Sequence, residues 1–190
     1  GESNLNSEEN IKNNILKIFL IYCMLSFICL TLLNLSNIRL FNSLNLTMTL
    51  VSTGGFLPLD SLNEIIITNT QKIIFSICLI LSMLNFYLFF NIFNKKTIIK
   101  NHKEDIYLLT LALVLVLSLY FYKFAFLEII LSVLSSLANS GLTLINVDNN
   151  LSLYFLFITV IGGSIISNTS GIKLGRFYIL LKSTSAEIIK

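Results

Sequence analysis

Three long uncharged intervals constrain the fold of this chain more than any other feature of its sequence. They cover residues 18–38, 73–94 and 106–122, which are 21, 22 and 17 residues long. At about 1.5 Å per residue, the first two reach across a hydrocarbon core of about 30 Å, and the third is at the lower limit of length. Because 55% of the residues are hydrophobic and only 12% are charged, we predict an all-α integral membrane protein that crosses the bilayer several times.

Two further uncharged stretches are too polar to face lipid. The first covers residues 40–59, in which positions 41–50 alternate polar and apolar side chains before the pentapeptide Ser52-Thr53-Gly54-Gly55-Phe56. Non-helical backbone survives at membrane depth only inside protein or beside a wet cavity, so we expect a short re-entrant helix with this pentapeptide at its tip. A strand is the alternative, since alternation is also the strand signal. Residues 129–147 form the second such stretch and contain Ala138-Asn139-Ser140-Gly141-Leu142.

The final uncharged interval, residues 149–172, changes character halfway along. We expect a helix over residues 151–161, followed by a loop over residues 162–172. The loop is made mainly of small and polar residues, among them Gly162, Gly163, Ser167, Asn168, Thr169, Ser170 and Gly171, and Lys173 and Arg176 follow it. A frayed helix end or a small-residue face for helix packing is the alternative interpretation.

The order of span, re-entrant segment and span therefore occurs twice. We predict a polar lead at residues 1–11, with a helix start at residues 7–10, and two helix–pore loop–helix units at 12–100 and 101–190. If both units enter and leave on one side, Arg39, Lys72 and Lys123 lie outside. The cytoplasmic side then holds Lys12, Lys17, Lys95, Lys96, Lys100, Lys103, Lys173, Arg176, Lys182 and Lys190. Ten basic residues against three satisfy the positive-inside bias.

Together with this order, three motifs resemble the pore-forming subunits of the Trk/Ktr/HKT superfamily of potassium transporters. The motifs are Ser-Thr-Gly-Gly-Phe at 52–56, Ser82-x-x-Asn85-Phe86, and the Gly162-Gly163 pair with Gly171-Ile172-Lys173 and Arg176 beyond it. The resemblance covers residues 12–190. The family is similar in design to potassium channels but has four unequal helix–pore–helix repeats on one chain, with the last helix of the third repeat broken by an intramembrane loop. This chain is similar to its second and third repeats.

The resemblance implies a function, a site and a set of partners. Potassium, the transported ion, is expected to bind the backbone oxygens of Thr53, Gly54, Gly55, Asn139, Ser140 and Gly141. The loop at 162–172 is expected to gate this filter. The location implied is the cytoplasmic (inner) membrane. The partners implied are the lipid bilayer, the remaining two repeats, a second copy forming a homodimer, and a cytoplasmic nucleotide-binding ring.

Some residues depart from the family pattern. Ile165, Ile166, Asn168 and Thr169 stand where the family loop is richer in small residues, and we expect them to stiffen or narrow the gate. The second filter segment has Asn139 and Leu142 where Thr or Phe is commoner. Nothing in the chain resembles a first or fourth repeat. Because two repeats cannot close a four-sided filter, the chain by itself is not expected to conduct.

Other functional classes are disfavoured by the side chains present. With His102 as its one histidine and no phosphate-binding loop, the chain offers no catalytic arrangement, so we expect neither an enzyme nor a cofactor. Cys23, Cys29 and Cys78 lie in apolar runs, where they are expected to pack as small hydrophobic residues. A net charge of +3 does not indicate a nucleic acid partner. The alternative function is a non-conducting membrane scaffold or accessory protein that retains the fold.

Overall fold

A computed structural model of the chain describes residues 2–93, 103–121, 124–145 and 149–188. These residues are mainly helical. The helices are α1 Glu2–Leu35, α2 Leu40–Ser52, α3 Asn69–Met83, α4 Phe86–Phe93, α5 Lys103–Leu119, α6 Phe126–Leu137, α7 Asn149–Val160 and α8 Leu174–Ile188. A 3-10 turn at Leu62–Glu64 and two short strands, β1 Ile161–Gly162 and β2 Ile172–Lys173, lie between them. The basic residues Lys95, Lys96, Lys100 and His102, together with Lys123 and Lys190, lie outside the described residues.

Helix α1 is the longest element. Within the described ranges, its segment Lys12–Leu35 is the one helix long and apolar enough to cross a membrane, judged by length and composition. Leu25 and Leu33 pack inside the molecule, whereas Phe19 and Phe27 are exposed, as expected of a helix with one face toward lipid. The predicted start at residues 7–10 is wrong, because the helix begins at Glu2. Neither glycine nor proline interrupts the polar lead, so the helix extends through it.

The segment before the first glycine-rich stretch is a helix, and the strand alternative is wrong. Helix α2 buries Ser43, Leu46, Thr47 and Leu50. These positions follow the i, i+3, i+4, i+7 spacing of one helical face. The alternation of polar and apolar residues is therefore compatible with a helix, because several of the polar side chains on this face are small enough to be buried against the protein.

The second predicted span, 73–94, is not one continuous helix. Helix α3 ends at Met83, Leu84 is extended with ψ 161°, and α4 begins at Phe86. The side chain of Asn85 accepts the N–H of Tyr87 at 2.9 Å and thereby caps α4. No glycine or proline marks this break, so neither of the usual helix-breaking residues predicts it. The first and third spans are helical, although α3, α6 and the segment Leu151–Val160 of α7 are shorter than a spanning helix.

The core lies where the two predicted units meet. Helix α3 packs extensively on α6, with Phe75 and Leu79 of α3 against a helix whose Leu131 and Leu137 are fully buried. Cys29 and Cys78 are buried as expected, whereas Cys23 is exposed. The two units therefore share one hydrophobic core through α3 and α6.

Candidate ion filter and gating loop

The two glycine-containing segments have the same backbone conformation. Thr53 and Asn139 both take the left-handed region, with φ 53° and φ 58°. Two residues further on, Gly55 and Gly141 have φ 74° and φ 67°. Left-handed backbone is uncommon for residues other than glycine, so its occurrence at the same two positions of both segments is informative.

The same kind of hydrogen bond closes α2 and α6. The N–H of Gly54 donates to the carbonyl of Thr49, and the N–H of Ser140 donates to the carbonyl of Ser135, both at 3.0 Å. Each bond reaches five residues back, as at helix ends closed by a left-handed residue. The two segments thus correspond position by position, which supports the predicted duplication. The division into units at 12–100 and 101–190 stays a prediction.

Gly55 lies against the second segment. A Cβ atom at this position would be 2.5 Å from the carbonyl oxygen of Ser140, and the φ of +74° would strain any L side chain. Gly54 differs, because a Cβ atom there would meet its nearest neighbour, Ser52 Oγ, at 3.2 Å and its φ is not left-handed. Close approach of the two backbones therefore requires glycine at 55 and not at 54.

Ser135 belongs to the candidate site, although the sequence did not single it out. Its Oγ accepts the N–H of Leu142 at 2.7 Å and lies 2.9 Å from Ser140 Oγ, so one hydroxyl holds the second segment folded against α6. Thr49 is the corresponding residue of α2, but its hydroxyl is buried without a hydrogen-bond partner in the described structure. The signal in the sequence was only a cluster of serines before Asn139.

The loop after α7 begins and ends at a short parallel pairing. Ile161 pairs with Ile172 and Gly162 pairs with Lys173, so the chain leaves and re-enters at one point. A Cβ atom on Gly162 would overlap the carbonyl oxygen of Ser170, so this closure requires glycine. The expected loop at 162–172 is therefore present, bounded by the two strands.

The ammonium group of Lys173 lies inside this loop. Its Nζ donates to Ser167 O at 3.2 Å, to Ser167 Oγ at 3.3 Å and to Thr169 Oγ1 at 3.0 Å, and it also contacts Thr169 O. One cation thus holds two loop residues together. Arg176, by contrast, is exposed on α8.

Loop and filter segments touch one another. Asn168 Nδ2 donates to the carbonyl of Val51 at 2.5 Å, and Asn139 Nδ2 donates to the carbonyl of Ser170 at 3.2 Å. The hydroxyl of Thr53 lies 3.4 Å from the carbonyl of Asn168. Residues 168–170 therefore lie against the C-terminal ends of α2 and α6. The structure brings together the filter stretch and the loop that the sequence singled out separately.

The first and last residues of the two segments differ in their exposure to solvent. Phe56 is 82% exposed, whereas Leu142 at the corresponding position is 3% exposed. Ser52 is also exposed, and Ala138 is completely buried. Side chains at these positions therefore do not form a symmetric pair, although the backbones between them correspond.

The fold matches that of a solved potassium transporter. It superposes on the crystal structure of the potassium transporter TrkH from Vibrio parahaemolyticus with a TM-score of 0.79, over 94% of this chain and 42% of that chain, at 22% sequence identity. The chain is also 27% identical over 171 residues to an uncharacterized cation transporter of Methanocaldococcus jannaschii, covering 88% of this chain and 36% of that protein. No family model matches. The resemblance expected from the motifs is confirmed at the level of the fold, and the chain spans less than half the length of either protein.

Proposed function

We propose that this chain is the pore module of a potassium uptake transporter of the cytoplasmic membrane. Potassium passes between the filter segments 52–56 and 138–142, and the loop at 162–172 gates the pathway. The observation that carries the proposal is the matching backbone conformation of the two segments. They meet at Gly55 and Ser140, and the loop at 162–172 packs against them. Cation transport is also the function named for the matched proteins.

The proposed ion ligands are backbone carbonyl oxygens. The set comprises the carbonyls of Thr53, Gly54, Gly55, Asn139, Ser140 and Gly141. Carbonyl oxygens are suitable donors for a hard cation, and a ring of them replaces its hydration shell. Helices α2 and α6 both end at these segments, so the partial negative charge of each helix C-terminus adds to the attraction for a cation.

The contacts between loop and filter support a closed state. The amide of Asn168 donates a hydrogen bond to the carbonyl of Val51, which lies in the last turn of α2. Asn139, within the second filter segment, is bonded to Ser170 of the loop. Transport then requires residues 167–171 to leave the filter end.

The partners are proposed with the function. The chain matches 42% of the solved transporter, so we propose that two further helix–pore–helix repeats complete the pore. A homodimer, a cytoplasmic nucleotide-binding ring and the surrounding lipid are the other proposed partners. We propose no cofactor and no enzymatic activity for the chain.

The test measures uptake of radioactive rubidium at limiting potassium in bacteria lacking their own potassium uptake. The complete reading frame is expressed with any co-encoded partner, beside the Gly55→Asp and Asn45→Asp variants. Gly55→Asp introduces a side chain against Ser140 O and a negative charge at the filter, so uptake is expected to fall to background. Asn45→Asp is the matched control, because it adds the same negative charge on α2 outside the filter segments, and it is expected to retain uptake.

The opposite result discriminates the alternative function. If well-inserted wild-type protein shows no uptake, the non-conducting scaffold replaces the transporter as the function. If Gly55→Asp transports like the wild type, the pathway does not run past Gly55.

A further inference from the structure

We propose that the break between α3 and α4, at residues 83–86, holds the gating loop in its closed position; we call this break the seat of the loop. Ions flow only when the loop separates from the seat. This inference rests on the proposed transport function. It assigns a role to the Ser82-x-x-Asn85-Phe86 motif, which the filter and loop do not explain. It also makes the gate an assembly of two broken helices, one from each predicted unit.

Three hydrogen bonds join the break to the loop. The N–H and the hydroxyl of Ser164 both donate to the carbonyl of Met83 at 3.2 Å. The N–H of Phe86 donates to the carbonyl of Ile166 at 2.8 Å. Two of the three are bonds between backbones, so this contact depends on chain geometry more than on side-chain identity.

The α3–α4 break and the loop each provide hydrogen-bond partners for backbone groups that the other leaves unpaired. In a continuous helix the carbonyl of Met83 and the N–H of Phe86 would bond within the helix, but the break at Leu84 prevents this. The loop cannot satisfy Ser164 N–H and Ile166 O by helical bonds either. At membrane depth unsatisfied backbone groups are strongly unfavourable, so the two breaks stabilise one another.

Gly163 permits the close approach. A Cβ atom at this position would lie 2.7 Å from the carbonyl oxygen of Met83. The carbonyl of Gly163 in turn accepts the N–H of Leu174 at 3.3 Å, at the beginning of α8. The seat therefore connects the break directly to the helix that follows the loop.

Two adjacent acids on α5 hold both sides of the seat. Asp105, which is 2% exposed, accepts the N–H of Asn85 at 3.0 Å through Oδ1. Glu104 accepts the N–H of Gly175, in the first turn of α8, at 2.9 Å through Oε1. One carboxylate thus holds the break and its neighbour holds the helix after the loop. We assign both as positioning residues of the gate.

The loop consequently has two parts with different attachments. Residues 163–166 are held by the α3–α4 break, mainly through backbone groups. Residues 168–170 contact the filter end through the side chains of Asn168, Asn139 and Thr53. Displacement of α4 or of the start of α5 would pull on the seat first, and the filter contacts would break afterwards.

A crosslink between the break and the loop tests the seat. Phe86→Cys and Ile166→Cys are combined in the complete reading frame after Cys23, Cys29 and Cys78 have been replaced by alanine and transport has been verified. Joining the pair with a short bifunctional thiol reagent is expected to lower rubidium uptake at least tenfold, and a reductant that cleaves the linker is expected to restore it. Full uptake by the crosslinked protein would overturn the proposal.

The matched control joins two helices away from the seat. Lys72→Cys with Glu128→Cys links α3 to α6, whose side chains at these positions are 2.7 Å apart in the wild type. This crosslink is expected to leave uptake within twofold of its uncrosslinked value. If it stops transport as well, any tether on α3 is inhibitory and the seat assignment is withdrawn.

The acids are tested by variants that keep or remove the acceptor. Asp105→Ala removes the acceptor for Asn85 N–H and is expected to shift the closed-to-open ratio about tenfold, seen as more uptake per folded molecule. Asp105→Asn retains an acceptor oxygen and is expected to behave like the wild type. Glu64→Ala removes a carboxylate that accepts the hydroxyl of Ser61 three residues before it, away from the loop, and serves as the control.

The outcomes separate this inference from the proposed function. If Asp105→Ala lowers only the yield of folded protein and leaves uptake per molecule unchanged, its role is structural and the assignment fails. If Gly55→Asp fails to abolish uptake, the proposed pathway itself is wrong. If Gly55→Asp abolishes uptake while the crosslink has no effect, the pathway stands and only the seat is wrong.

Discussion

At the scale of single residues, a few hydroxyl and amide groups determine the shape of the candidate filter. Ser135 holds the N–H of Leu142, and Asn139 and Asn168 join filter and loop in both directions. Glycine is required at position 55 by its φ and by the carbonyl of Ser140. Each of these groups acts on backbone atoms, so substitutions there change the path of the chain rather than remove a surface contact.

The hydroxyl of Ser135 and that of Thr49 are predicted to respond in opposite ways. Ser135→Ala leaves the buried N–H of Leu142 without its partner and is expected to lower the free energy of unfolding by about 1–3 kcal/mol. Thr49→Val removes a buried hydroxyl that has no partner in the described structure and is expected to be neutral or stabilising. Thermal unfolding in detergent measures both, and equal losses for the two variants would contradict the assignment.

The amide of Asn168 is predicted to hold the loop closed. Asn168→Ala removes the bond to Val51 O, so rubidium uptake per folded molecule is expected to rise several-fold, as the loss of a bond of about 1 kcal/mol predicts. Asn45→Ala is the control, because the amide of Asn45 bonds within α2 to the carbonyl of Phe41. Unchanged uptake in Asn168→Ala would remove this contact from the gating mechanism.

At the scale of elements, the two predicted units are joined through α3 and α6. Lys72 in the first turn of α3 and Glu128 in the first turn of α6 form an ion pair at 2.7 Å, with side-chain exposures of 14% and 26%. In the sequence, Lys72 was counted only among the three basic residues expected outside, and nothing indicated that Glu128 is its partner. Their pairing orients α6 on α3, one helix from each predicted unit.

Breaking this pair is predicted to destabilise the contact between the units. Lys72→Met leaves the carboxylate of Glu128 largely buried beside an apolar chain, and we expect a loss of about 2 kcal/mol in unfolding free energy. Lys72→Met with Glu128→Leu replaces the pair by apolar contact and is expected to recover part of that loss. Denaturation of the three proteins in the same detergent provides the comparison; an unstable double variant would show that the pair itself is needed.

At the scale of the whole molecule, the chain is expected to supply half of a four-sided pore. It covers 42% of the solved transporter on which it superposes and 36% of the similar cation transporter of Methanocaldococcus jannaschii. Two carbonyl-bearing segments do not surround an ion, so the function proposed belongs to an assembly.

The isolated chain is therefore predicted not to conduct. Residues 1–190, reconstituted into liposomes, are expected to show rubidium flux no greater than that of empty vesicles. Addition of the remaining repeats, by co-expression before purification, is expected to restore flux. Flux from the isolated chain, abolished by Gly55→Asp, would show instead that copies of this chain assemble a pore among themselves.

Much of the organisation can be read from the sequence because it is encoded locally. Uncharged runs predict which segments prefer lipid, the polarity of residues 40–59 and 129–147 predicts helices that pack against protein, and glycine predicts left-handed backbone. From these signals alone, the segments 52–56 and 138–142 and the loop at 162–172 can be predicted. The superposition on a potassium transporter confirms the class of fold that the motifs indicated.

The remaining features depend on groups far apart in the chain. The break at Leu84 has no glycine or proline to announce it; it exists because Asp105, Ser164 and Ile166 bond the freed backbone groups. Lys72 and Glu128 are 56 residues apart, and their pairing follows from the packing of α3 on α6. Local patterns specify which segments are helical and where the backbone turns. Which distant group satisfies each exposed carbonyl or N–H is settled only when the chain packs, because that choice is made by geometry and not by residue type.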